Sequence, residues 1–201
     1  MKKTFCMALL ATLLMAGCTS TDEAVTVDNN PVIENILARR SIRSYKPDKI
    51  EREKLDRIIE CGIWAPNGQH RESWEVRVVT NPDMLAEIDS LYNIYSDGSN
   101  SRAAFGAPAV AFIAYDTTYD LSQVDCGLLG GNMMLAANSM GIGSCCLGGL
   151  ARFMTSPQAA TLLARLDFPD THRLLYAIAF GYPNETPAPN GRRTDNVRII
   201  E

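Results

Sequence analysis

Histidine is nearly absent: His70 and His172 are the only two among 201 residues. Neither stands near a G-x-S-x-G elbow, so a Ser-His-Asp hydrolase has little to build on. The phosphate-cradling G-x-x-x-x-G-K-[ST] run is missing. Gly141-Ile142-Gly143 also fails as a dinucleotide fingerprint, because Cys146 takes the place of the third glycine and a helical pattern precedes it instead of a strand. Positive charge is in short supply: 19 Lys+Arg face 23 Asp+Glu, leaving a net charge of -4. The cationic excess that drives counterion release from nucleic acid is therefore absent, and no nucleic acid partner is expected. No C-x-x-C occurs, and the cysteines and histidines have none of the usual zinc spacings, so no metal site is expected. Cys61, Cys126, Cys145 and Cys146 read as small buried hydrophobes, and the adjacent pair Cys145-Cys146 closes only as a strained ring. A membrane-spanning run is missing as well: the apolar stretch from Phe5 to Ala16 is too short to cross a bilayer.

That stretch follows Lys2-Lys3, and the pair reads as a secretory signal with a basic start and a short apolar centre. Leu14-Met15-Ala16-Gly17-Cys18 resembles the bacterial lipobox, with Met15 where leucine is usual. The expectation is a lipoprotein signal peptide over 1–17 and acylation of Cys18, which holds the protein on the cell envelope, periplasmic or surface side, without a spanning helix. Residues 18–30 are polar and lack helical period, as expected of a flexible tether. Residues 31–201 then form one domain.

Within it, Pro31 suits the first position of a helix whose apolar face is Val32, Ile33, Ile36 and Leu37, ending at Arg39-Arg40. A second helix is expected from about Glu51 to Ile63. Glu75 to Thr80 alternates as a strand, and Asn81-Pro82 opens a helix through Leu91. Residues 92–105 read as a long irregular loop, and Ala109 to Tyr115 as a buried strand. Asp125 to Met140 is apolar and small all round, which predicts a central buried helix ended by Gly141. Ser156-Pro157 opens a helix to about Leu166, and Arg173 to Gly181 is a further buried strand. The proline-containing tail from Tyr182 must run extended, with Val197 to Ile200 as an added strand.

The chemistry concentrates in arginine. Arg39-Arg40-Ser41-Ile42-Arg43 can grip a phosphate through guanidinium forks and a hydroxyl, and Arg192-Arg193 form a second basic pair in an acidic chain. Two separated clusters suggest one anion between them. Here the sequence resembles the FMN-dependent nitroreductase family, in four ordered stretches from about Ile33 to Ile200. These are RRSIRSY at 39–45, APNGQHRESW at 65–74, Asp125-Cys126-Gly127 through Gly141-Ile142-Gly143-Ser144-Cys145, and Gly181-Tyr182-Pro183 with Arg192-Arg193.

The resemblance implies an α+β sandwich with a mostly antiparallel central sheet flanked by helices, in a homodimer that exchanges its C-terminal arm and binds two FMN at the interface. It places Arg39, Arg40, Ser41, Arg192 and Arg193 on the FMN phosphate and Arg43 at the pyrimidine edge. Asn67, Gly68 and His70 lie along the flavin, and the backbone around Cys146, Leu147 and Gly148 faces its ring. A fixed cation such as Arg43 stabilises the anionic reduced ring. Hydride then passes from the flavin to a small electrophile, nitroaromatic or quinone-like, with NAD(P)H as the donor. No further acid or base is required, although His70 can donate a proton. His70 and Glu72 bring the second stretch close to the iodotyrosine deiodinase branch, which implies reductive dehalogenation as an alternative; residues 92–105, however, hold no lysine for a substrate clamp. A membrane-tethered flavin-binding protein with little turnover is the other alternative.

Overall fold

A computed structural model describes residues 29–99 and 102–201; the expected signal peptide, Cys18 and nearly all of the tether lie outside them. Asn30 caps the first helix, α1 (Pro31–Ala38), by accepting from the N–H groups of Val32 and Ile33. The second helix, α2 (Arg52–Ile63), follows the spacing of its isoleucines. Strand β1 (Trp74–Val79) leads through the Asn81 cap into α3 (Pro82–Tyr95), then β2 (Ala109–Asp116) and α4 (Ser122–Ser139). Strand β3 (Gly143–Leu147) runs straight into α5 (Gly148–Met154), and a short turn and α6 (Ala160–Ala164) precede β4 (His172–Gly181).

The four strands form one antiparallel sheet in the order β1-β2-β4-β3. Alternation along β2 sends Val110 and Phe112 to one face and Ala109, Ala111 and Ile113 to the other. The first face packs on α3, α5 and α6 through Ile88, Phe153 and Leu162; the second packs on α2 and α4 through Ile58, Leu129 and Met133. Both faces are covered, which is why β2 and β4 read as continuous apolar runs. The expected α+β sandwich is the observed one.

Four expectations need correction. Helix α3 continues past Leu91 to Tyr95, because Tyr92 and Tyr95 pack their rings on Phe153 with centroids 5.3 Å apart and the contact prolongs the helix. Strand β3 and helix α5 were not expected from residues 143–154; the sheet edge and the buried side chains Leu150, Phe153 and Met154 override the glycines. Helix α4 is buried on one side only: Leu121 at its cap, Val124 and Leu128 are exposed. The tail forms no strand at 197–200, and Val197, Ile199 and Ile200 are exposed, because no neighbouring strand of the same chain pairs with them.

Candidate functional site

The segment after α1 lies along the free edge of β3. Ser41 bridges Ser144 in parallel, and the Ile42 N–H donates to the Ser144 carbonyl at 3.0 Å. This joins the first and third sequence stretches. Arg39 caps α1 with its N–H on the Asn35 carbonyl, while its Nη1 is buried and has no hydrogen-bond partner. Ser144 Oγ, 1% exposed as a residue, is likewise unpartnered. A buried guanidinium nitrogen without an acceptor is costly, and an anion is one group that would supply the missing acceptor. Burial raises the thiol of Cys145, against the opposing pull of Arg43, the Ser41 hydroxyl and Arg39. Arg39, Ser41 and Arg43 therefore lie in the neighbourhood of Cys145. Cys146 next to it is exposed at the sheet edge, and Leu147 is buried. A Cβ on Gly148 would meet open space among the described residues.

The side chains of Arg40, Arg192 and Arg193 bond locally instead. Arg40 turns back onto the end of its own helix, donating from Nη1 to the carbonyls of Leu37 and Arg39 at 2.6 and 2.9 Å. The Arg43 backbone N–H donates to the Glu185 carboxylate at the root of the tail. Arg192 donates to its own tail carbonyls at Asn190 and Gly191, and Arg193 forms a two-pronged pair with Asp195 at 3.0 and 3.1 Å.

The second stretch sits elsewhere. Asn67 Oδ1 accepts from the Glu72 N–H at 3.0 Å, closing a loop in which Gln69, His70 and Glu72 all have positive φ. Side chains rarely adopt that conformation, and it persists where the surroundings impose it. Asp125 in the first turn of α4 accepts from the Gly68 N–H at 2.9 Å and from Ser73 Oγ at 3.1 Å. A Cβ at Gly68 would meet the Tyr119 hydroxyl, so a side chain here requires that ring to shift. His70 lines a groove of about 560 Å³ with Ile63, Trp64, Pro66, Asn67, Glu72 and Trp74. Trp64 is 79% exposed.

The two groups of residues therefore stand at opposite ends of α4. Asp125 anchors the His70 loop, and Asn138 at the far end bonds Asn35 of α1. Thirteen helical steps separate them, or about 20 Å at 1.5 Å per residue. Sequence reasoning had no role for Asp125, Ser73, Tyr119 or Ser144. The signal for Asp125 was a lone carboxylate opening an apolar helix. Tyr92 and Tyr95, from the stretch expected to be a loop, pack on Phe153.

Comparison with known proteins bears on this geometry. Residues 36–182 match the family model described as "Nitroreductase family". A nitroreductase with bound FMN from Desulfitobacterium hafniense is 29% identical, with a TM-score of 0.76 over 86% of this chain and 99% of that one. A second nitroreductase with bound FMN, from Bacteroides fragilis, is 27% identical, with a TM-score of 0.75 over 86% of this chain and 100% of that one. The NADPH-flavin oxidoreductase of Vibrio harveyi is 25% identical over 86% of this chain and 74% of its own length.

Proposed function

Because the chain belongs to the nitroreductase family, we propose that this FMN-dependent oxidoreductase passes hydride from reduced flavin to a small electrophilic acceptor, nitroaromatic or quinone-like, with NAD(P)H as the donor. The observation that carries this reading is the buried, unpartnered Arg39 Nη1 on the same edge as the unpartnered Ser144 Oγ. Both lack what a phosphate supplies. The strained, glycine-dependent loop at 67–72 fits a flat ring pressed against backbone. FMN, when bound, supplies the two-electron chemistry. The chain supplies the rest: Arg39 and Ser41 hold the phosphate, with Arg40, Arg192 and Arg193 completing its charge balance after release from their local partners. Arg43 offsets negative charge at the pyrimidine edge, and the backbone of Cys146, Leu147 and Gly148 lies open to the ring. Asn67, Gly68 and His70 form the opposite wall, where His70 can hold a proton for the acceptor.

We infer further that the working unit is a homodimer. A separation of about 20 Å along α4 keeps the arginine edge and the His70 loop of one chain apart, so two copies in antiparallel arrangement bring unlike halves together. Support comes from apolar surface left exposed among the described residues. Val32, Ile36 and Leu37 on α1, Val124 and Leu128 on α4, and Val197, Ile199 and Ile200 of the tail are all exposed. Cys18, where acylated, places this dimer on the cell envelope. That address raises the question of donor, since nicotinamides are cytosolic.

The test is the visible spectrum of the protein lacking its first 18 residues, recorded before and after anaerobic NADH or NADPH, with dithionite as control. A flavin band bleached by a nicotinamide supports the full reading. Bleaching by dithionite alone removes NAD(P)H as donor, and the absence of a flavin band after FMN addition overturns the cofactor assignment.

A further inference from the structure

Asp125 is the one charged residue of α4, and only 3% of it is exposed. It lies in the first turn of α4, where the positive end of the helix dipole favours a negative group. Its two oxygens divide between the two ends of one loop: Oδ1 takes the Gly68 N–H at 2.9 Å and Oδ2 takes the Ser73 hydroxyl at 3.1 Å. Ser122, three residues earlier, donates from Oγ to the Ser73 carbonyl at 2.5 Å and accepts the Asp116 N–H at 2.9 Å. Between the two latched ends, Gln69, His70 and Glu72 hold positive φ values of 55°, 55° and 47°. Each such residue stores free energy that relaxes unless neighbouring bonds oppose it. The bonds that oppose it here are those to Asp125, together with the Asn67 side chain closing on the Glu72 N–H at 3.0 Å.

We propose that Asp125 is a positioning residue whose carboxylate holds the 67–72 loop in the conformation that presents Asn67 and His70 to the flavin. The proposal rests on the flavin reading above. Asp125 itself takes no chemical step; its carboxylate is bonded to Gly68 and Ser73. Two neutral donors on one carboxylate form charge-assisted bonds, and losing both leaves the half-buried Gly68 N–H and the buried Ser73 hydroxyl without those partners. The loop then relaxes toward ordinary dihedral angles, and His70 leaves the wall of its groove.

Asp125→Ala, Asp125→Asn and Ser73→Ala in the full chain test this with three readouts. These are hydrogen exchange across residues 66–73 in the FMN-free protein, FMN affinity, and kcat per bound flavin with benzoquinone as the acceptor. In Asp125→Ala, exchange across 66–73 accelerates while the body of α4 stays protected, and both FMN affinity and kcat per bound flavin fall by about tenfold, in line with a misplaced wall. Asp125→Asn keeps an acceptor for Gly68 and recovers most of both. Ser73→Ala removes one tie and produces the same pattern at roughly two- to threefold. A merely structural Asp125 lowers the folded fraction but leaves kcat per bound flavin and the exchange of the folded loop untouched. That result, in Asp125→Ala or, should it not fold, in Ser73→Ala, overturns the proposal. If the parent protein binds no FMN, the functional reading fails while the exchange comparison still decides the latch.

Discussion

The arginine edge and the His70 loop are built on opposite principles. At the edge, Arg39 Nη1 and Ser144 Oγ are buried and unpartnered, and Gly148 borders open space. At the loop, two backbone donors and a hydroxyl are satisfied within the chain, at the expense of three residues in left-handed conformations. One half is left short of bonds; the other closes its loop with bonds inside the chain, the Tyr119 hydroxyl beside Gly68 excepted, and pays in backbone strain. On the proposed reading, polar groups that meet a charged ligand are held ready by leaving them unsatisfied, whereas a wall that lies flat against a ring is held ready by over-determining its shape.

The largest expected departure comes from Arg39→Ala, which removes the unsatisfied cation. FMN affinity should fall by about 10- to 100-fold, the worth of a hydrogen bond to a charged group, as read by flavin fluorescence titration. An unchanged affinity erases the contrast. Gly68→Ala attacks the satisfied half: the new Cβ meets the Tyr119 hydroxyl, and the cost of overpacking, about 1–3 kcal/mol, should appear as a lowered midpoint in denaturant for the FMN-free protein. Equal stability would mean the loop is not tightly determined. Ser144→Ala should do the reverse. Relieving an unpartnered buried hydroxyl should raise the stability of the FMN-free protein by about 1 kcal/mol while FMN affinity drops a few-fold. A loss of stability would show that Ser144 is already satisfied.

The smallest effect lies outside both halves and serves as a baseline. The Tyr182 hydroxyl, followed by the Glu51 backbone and Lys54, holds the exposed Glu51 carboxylate down at about 2, below its usual 4.5. A lowered carboxylate stabilises the fold in full above about 4.5 and loses that contribution as pH falls toward 2. Glu51→Gln should therefore flatten the acid side of a stability profile between those values and leave neutral pH nearly unchanged. An identical acid limb contradicts the assignment.

Periodicity made most of the architecture legible. The isoleucines of α2, the Asn-Pro openings of α1 and α3, and the apolar runs of β2 and β4 each declare their element, because a packed face imposes a fixed spacing. Strand β3 and α5 were illegible: Ser144, Cys145 and Cys146 are small, Gly148 and Gly149 weaken a helix, and only the adjacent β4 and the core decide the outcome. The C-terminal residues of α3 were hidden for a related reason, since Tyr95 is held by Phe153 from 58 residues away in the chain. In the site, clustered arginines announced an anion, yet nothing local distinguishes Arg39, whose Nη1 stays free, from Arg40, which turns back on its helix. Asp125 stood out as an acid in an apolar helix, but its partners Gly68 and Ser73 lie more than 50 residues earlier and only the fold brings them to it.

The sharing of one site between two copies is the claim on which the rest depends, and subunit mixing tests it most directly. Arg39→Ala and an Asn67→Ala/His70→Ala pair would be purified separately, each retaining little flavin, and then co-expressed. A shared site predicts that about half of the mixed dimers are heterodimers with one intact site in two, restoring flavin to roughly a quarter of the parental level. Flavin retention no higher than that of the separate variants would place both halves of each site in a single chain and contradict the account.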